Sequence, residues 1–308
     1  NNIAGPITFM LTGTAYNHIP YQAEVSVTVD AGVYMISSIN YVNDANGNDN
    51  GLADYSEEVS VDLDFSNVGL ADADGLSAEV TTTSTDVVML NGTIPSIPSL
   101  IQGTNTIVTD AFSFEVNEYI EDGEAVQFEI EITDGVDVWY SYASITLHAP
   151  KLDIDESYVM SDDASIQSNG RFDAGETVTI SIEVENAGSA DLYTVNHLLT
   201  EDSPYITIDE ASIVSNTLAN GDLISLEFDV SADASVPLNH KVNFDFSSES
   251  GYYSDAIAFD LSVNLNLEDF EDQDYIAEYI SDGLYPWYTD YTNSVSGTSS
   301  LRSGNIDD

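Results

Sequence analysis

Two stretches of this chain repeat one another at an offset of 119 residues, and that self-similarity restricts the fold more than any other feature of the sequence. Asn50-Gly51 falls on Asn169-Gly170, Asp54 on Asp173 and Glu57 on Glu176. The alternating run Val59, Val61, Leu63, Phe65 falls on Val178, Ile180, Ile182, Val184. After it, Asn67, Gly69, Ala71 and Asp72 meet Asn186, Gly188, Ala190 and Asp191. Turn residues and apolar residues match together, so both copies should turn the same side chains inward and bend at the same points.

The run after each glutamate has period two, which makes it a strand with one face toward a core. Later runs repeat the habit: Phe112, Phe114, Val116 and Val126, Phe128, Ile130, Ile132 in the first copy, Leu226, Phe228, Val230 and Val242, Phe244, Phe246 in the second. Helical periodicity is hard to find, and Asp122-Gly123, Asp134-Gly135 and Asn220-Gly221 place turns at intervals suited to sandwiches. The pattern predicts an all-β chain of tandem immunoglobulin-like β-sandwich domains stacked in a rod. Its 308 residues suffice for two or three units of about 100 residues each. Residues 1–31, where Ile7, Phe9, Leu11 and Val25, Val27, Val29 alternate, read as the C-terminal strands of a preceding β-domain. The first full sandwich is expected over 32–149 and the second over 150–265, and 266–308 opens a third unit. The linkers span only a few residues, which predicts a stiff stack.

Composition removes several classes of function. Against 55 acidic residues stand Lys151, Arg171, Lys241 and Arg302, a formal net charge of −51, so nucleic acid is not a partner. Such a chain repels itself unless salt screens it, and screening shortens the reach of a charge to roughly 3 Å at 1 M. A salty exterior is the expected setting. Cysteine is absent, which excludes disulfides, thiolate metal sites and a cysteine nucleophile. No apolar run approaches the length of a membrane-spanning helix. The chain starts at Asn1 without a signal sequence and stops after Asn305-Ile306-Asp307-Asp308, which suggests a piece of a longer polypeptide whose neighbouring domains are its first partners.

The most chemically specific segment is Asn46 to Glu57. On a calcium-loop template Asn46, Asn48 and Asn50 take the first, third and fifth positions, Gly51 the sharp turn, Asp54 the ninth and Glu57 the twelfth. Calcium takes six to eight oxygens at ~2.3–2.6 Å, and carboxamides and carboxylates wrapped around a glycine turn supply them. In the second copy Ser165 and Gln167 replace two of the asparagines, while Asn169, Asp173 and Glu176 remain and Asp162 and Asp163 add carboxylates. A tight turn also selects Asn, Asp and Gly, for left-handed backbone and side-chain bonds to the main chain, and both readings stand for both loops.

Other candidates carry less. His18, His148, His197 and His240 lie on different elements without zinc-like pairing and read as surface or boundary residues. With so many carboxylates no spacing singles out a glycosidase pair, and neither a nucleophile elbow nor a phosphate-cradling loop is present. The tract Ile94-Pro95-Ser96-Ile97-Pro98-Ser99 reads as a surface loop. Tyr279, Tyr285, Trp287, Tyr288 and Tyr291 suit either a sugar-stacking platform or the core of a β-domain.

The repeated Gly-Asn-x-Asn-Gly-x-x-Asp-x-x-Glu, here Gly47 to Glu57, followed by a strand ending in Asn67, Gly69, Ala71 and Asp72, resembles the immunoglobulin-like domains that follow the catalytic domain of gingipain-like cysteine peptidases of Bacteroidota. Ile132-Thr133-Asp134-Gly135 and Trp139 belong to the same likeness. Asp269-Phe270-Glu271 through Pro286-Trp287 to Ser299-Ser300-Leu301-Arg302-Ser303-Gly304 is similar to the start of the cleaved-adhesin, jelly-roll-like domain found next in those proteins. The resemblance covers roughly residues 32–308. It implies export by the type IX system, an extracellular or cell-surface location, and stalk and adhesin parts attached to a protease. No catalytic residue carries over. The expected function is a non-catalytic, calcium-stabilised stalk, with extracellular protein or glycan as further partners; the alternative is a structural or adhesive surface protein of repeated sandwiches.

Overall fold

Alternating residues become strands wherever the chain is described. The computed structural model describes residues 6–14, 19–28, 32–162, 168–265, 288–290, 292 and 300–302, and every regular element among them is a β-strand. β1 (Pro6–Gly13) and β2 (Tyr21–Thr28) form an antiparallel hairpin. The first sandwich then comprises β3 (Met35–Asn43), β4 (Ala53–Asp54), β5 (Glu58–Asn67), β6 (Ser77–Thr82), β7 (Val87–Asn91), β8 (Thr93–Ile94), β9 (Asn105–Val116), β10 (Ala125–Thr133) and β11 (Val138–His148). One sheet has the order β3-β5-β9-β7, and the facing sheet β4-β11-β10-β6-β8.

The second sandwich comprises β12 (Leu152–Ser161), β13 (Thr177–Asn186), β14 (Leu192–Glu201), β15 (Ile206–Ile208), β16 (Ser212–Leu218), β17 (Leu223–Ala232), β18 (His240–Ser250) and β19 (Tyr253–Val263). Its sheets run β12-β13-β17-β15 and β16-β14-β18-β19. Strand for strand this is the order of the first sandwich, with β4 as the one addition. The shared order is that of an immunoglobulin-like domain, four strands facing three, with a further edge strand beside β6 and beside β14. In both copies that extra strand follows the edge strand of the opposite sheet (β8 after β7, β16 after β15), so the chain crosses between the sheets in the same unusual order. Even a register shift repeats, between Ile39 and Tyr41 where β3 meets β5 and between Ile154 and Tyr158 where β12 meets β13.

The inward positions are those the periodicity names. Val59, Val61, Leu63 and Phe65 are buried on β5, and Val178, Ile180, Ile182 and Val184 on β13. Phe112, Phe114 and Phe128 meet between the sheets of the first domain with ring centroids 5.0–6.1 Å apart. Fully buried rings of this kind contribute about 1.5–3 kcal/mol each, which is how a cysteine-free sandwich holds together. Ile94 and Ile97 of the proline tract are buried too, and the Ile97 N–H bonds the Leu76 carbonyl, so that tract is a lid of the first core. Among the described residues no strand pairs across the joint between the domains, yet the buried apolar residues of both form one contiguous cluster, which includes Leu147, Ala149 and Leu152 next to the joint. The sheets of the two domains are thus separate while their cores touch.

Of the third unit only β20 (Tyr288–Asp290) and β21 (Ser300–Arg302), paired antiparallel, are described. Apart from residue 292, the remainder of 266–308 lies outside the described residues, and with it the jelly-roll onset and four of the five aromatic candidates. No helix among the described residues is long and apolar enough to cross a membrane.

Candidate functional site

The loop between β3 and β5 is organised around a residue that the calcium template passes over. Asp44 is fully buried, and its carboxylate accepts the backbone N–H of Asn50 at 2.8 Å and of Gly51 at 3.1 Å. Gly51 sits at φ 83°, in left-handed territory where glycine is favoured, and so presents its amide to Asp44. Asn48 and Asn50 then build local turns, Asn48 Oδ1 accepting the Asn50 N–H and Asn50 Oδ1 the Leu52 N–H. Their Nδ2 groups both donate to Asp54 Oδ2, at 2.7 and 3.0 Å. Glu57 closes the loop by accepting from Asn48 N at 2.9 Å and Asp54 N at 3.3 Å. Gly47 lies against the Glu57 side chain so closely that a Cβ there would collide with it.

The second loop repeats this network. Asp162 Oδ2 accepts from Asn169 N at 2.6 Å and Gly170 N at 2.7 Å, Asn169 Nδ2 donates to Asp173 Oδ2 at 2.8 Å, and Asp173 N donates to Glu176 Oε2 at 3.0 Å. The Gly170 N–H holds the Asp162 carboxyl below its usual range. Asp162 therefore plays the part of Asp44. One extra residue between Asp162 and Asn169 hides that equivalence from an offset of 119, which pairs Asp44 with Asp163 instead. Asp163 lies outside the described residues, as do Ser165 and Gln167.

Among the expected ligands of the first loop, Asn48, Asn50, Asp54 and Glu57 come together. Asn46 does not: it is exposed and lines a separate depression with Glu58, Ser60 and Asp110. Burial pushes the Asp54 carboxyl up, opposed by the amides of Asn48 and Asn50, and burial likewise pushes Glu57 up. Asp54 Oδ1 is buried without a hydrogen-bond partner. A cation would satisfy that orphaned oxygen, and the hard oxygen donors of the loop suit calcium. No three His, Asp or Glu side chains among the described residues already converge as a cage, so binding has to exchange present hydrogen bonds for metal bonds.

The first loop also meets the second domain. Tyr55 donates its hydroxyl to the Asp191 carbonyl at 3.0 Å, and burial pushes its phenol up to about 12. Its ring packs edge-on against Tyr253, 5.2 Å between centroids, and Tyr253 packs on Tyr119 at 5.5 Å. The Ile120 N–H donates to the Tyr253 hydroxyl at 3.2 Å. Around the linker, Asp122 accepts from Ala149 N and from the Ser189 hydroxyl, and His148 Nδ1 pairs with Ser189 Oγ at 2.7 Å. The Asn-x-Gly turn grips the linker from the other side. Asn186 Oδ1 accepts from Lys151 N, Ala187 N donates to the Lys151 carbonyl, and a Cβ on Gly188 would collide with the backbone at 149–151.

His197 and His240 serve structure, and His18 lies outside the described residues. His197 is buried in the second core between Ser248 and Ser215, at 2.8 and 3.1 Å, and His240 pairs with Ser203 at 2.7 Å.

No family model matches the chain, and no curated protein does. Among solved structures, an Escherichia coli alpha-2-macroglobulin activated by porcine elastase aligns over 84% of this chain and 24% of its own, at 9% identity and a TM-score of 0.29. The chain thus spans about a quarter of that protein. A Porphyromonas gingivalis protein described as of unknown function aligns over 76% of this chain and 99% of its own, at 16% identity and a TM-score of 0.22. Likenesses this distant carry no functional argument. What the strand order defines is a pair of immunoglobulin-like β-sandwiches.

Proposed function

We propose that this chain is a non-catalytic, calcium-stabilised stalk and adhesion region that spaces or tethers a secreted gingipain-like cysteine peptidase at the cell surface. The observation that carries the reading is the joint, where Tyr55, Tyr253 and Asp122 tie two sandwiches through directional, partly buried bonds and Asn186 holds the linker between them. A spacer needs that kind of joint, whereas a catalytic pair of domains needs a reactive cleft. The link to a peptidase rests on the repeated loop motif, and the extracellular setting on a net charge that salt must screen. The second reading, a structural or adhesive surface protein of repeated sandwiches, draws on the duplication itself, because a joint built from repeated motifs extends to any number of copies.

Antibodies raised against the chain test both. The stalk reading expects them to label intact cells and to capture a longer polypeptide with cysteine-dependent peptidase activity. Capture of a longer polypeptide made only of further sandwiches favours the second reading, and labelling confined to the cell interior refutes both.

A further inference from the structure

The cleft between the domains is lined by three carboxylates, and His148 is the one basic side chain whose field reaches Asp54. The cleft encloses about 350 Å³ and is lined by Asp54, Tyr55 and Glu57 from the first loop and by Asp191 and Tyr193 from the second sandwich, with no lysine or arginine in its wall. Like charges facing one another across a joint push it open, so an apposition that is otherwise well bonded calls for a counter-ion. Two further observations say where. Asp54 is 3% exposed and its Oδ1 has no partner, while Asp191 spends Oδ1 on the Asn220 N–H at 2.9 Å.

We propose that the first loop binds its divalent cation jointly with Asp191 of the following sandwich, so that calcium acts as a clasp across the joint. The proposal rests on the calcium reading of the loop given above and extends it from one domain to two. The three carboxylates do not yet converge as a cage. A cation held by all of them must therefore draw the Asp191 edge of the second sandwich toward the loop, and its loss must loosen the joint. The repeat gives the arrangement a rationale. Asp191 ends the same Asn-x-Gly-x-Ala-Asp motif as Asp72, and both accept a backbone N–H through Oδ1, from Asn220 and Gln102. The motif thus sets a carboxylate at one end of each sandwich, while the glycine loop sets carboxylates at the other.

The test uses the whole chain with Asp173→Asn and Glu176→Gln, which silence the second loop. Calcium is titrated calorimetrically into this protein, into a version with Asp191→Asn and into a version with Asp54→Asn. Because the chain has no cysteine, spin labels on Ser144→Cys and Ser225→Cys report the distance between the sandwiches with calcium or with chelator. The expected result is that Asp191→Asn weakens calcium on the order of tenfold, Asp54→Asn abolishes it, and calcium narrows the distance distribution in the parent only. Calcium bound equally well with and without Asp191, at an unchanged distance distribution, overturns the clasp and leaves the loop site standing. No calcium bound by the parent overturns both.

Discussion

Replacing Asn186 by alanine removes a buried side chain that makes four hydrogen bonds in the second sandwich. Asn186 is fully buried, and its amide makes four bonds: Nδ2 donates to the carbonyls of Ala190 and Leu218, and Oδ1 accepts from Gly188 N and Lys151 N. Alanine leaves four backbone groups in a site that water enters poorly. At about 1 kcal/mol per bond, the loss of stability comes to about 4 kcal/mol. Asn67 in the first sandwich is an internal control. It is equally buried and, among the described residues, makes three such bonds, to Ala71, Leu100 and Gly69. Asn67→Ala should therefore cost about 1 kcal/mol less than Asn186→Ala. Urea unfolding of the full chain measures both, followed by the fluorescence of Trp139 for the first domain and by circular dichroism for the whole. A loss under about 1 kcal/mol for Asn186→Ala refutes the reasoning, because a buried amide with four partners cannot be that cheap to delete.

Gly188→Ala puts a methyl group into the backbone at 149–151 and should cost about 1–3 kcal/mol, and Gly69→Ala should do the same against residues 32–34; wild-type melting temperatures would show that the turns do not grip the linkers. Tyr253→Phe keeps the ring packing but deletes the bond from Ile120 N, and should cost about 1 kcal/mol in the joint, read as the second domain's unfolding midpoint in urea. Burial holds the His197 imidazole below its usual pKa, so the folded state binds fewer protons than the unfolded chain. That stability is complete above the unfolded value of about 6.5 and is lost as pH falls below it. His197→Gln should flatten the dependence below about pH 6.5, and equal slopes for variant and wild type would sink the assignment.

The fold was legible because β-periodicity and turn chemistry agree along the whole repeat. Val59 to Phe65 and Val178 to Val184 were readable as inward faces because a period of two leaves no other place for them. The loops were readable only in part. Asn48, Asn50, Asp54 and Glu57 follow a linear template, but Asp44 acts on amides six and seven residues ahead, and the matching Asp162 on amides seven and eight ahead. A fixed offset cannot register a partner whose loop gained a residue. A doubled acidic residue at 162–163, facing a single Asp44, was the available signal. The joint was the least legible part, since Tyr55 and Tyr253 lie far apart in sequence and nothing local marks either as facing another domain. His197 looked like a boundary residue because its two serine partners come from different strands.

Residual dipolar couplings, collected on the full chain with calcium present, address the central claim most directly. Backbone N–H vectors of residues 35–148 and of residues 152–263 are fitted separately for their alignment. Two duplicated sandwiches locked through Tyr253, Asp122 and Asn186 should share one alignment tensor, equal in magnitude and direction. Tensors of unequal magnitude would mean that the domains reorient independently, and the locked joint, with the stalk built on it, would be wrong.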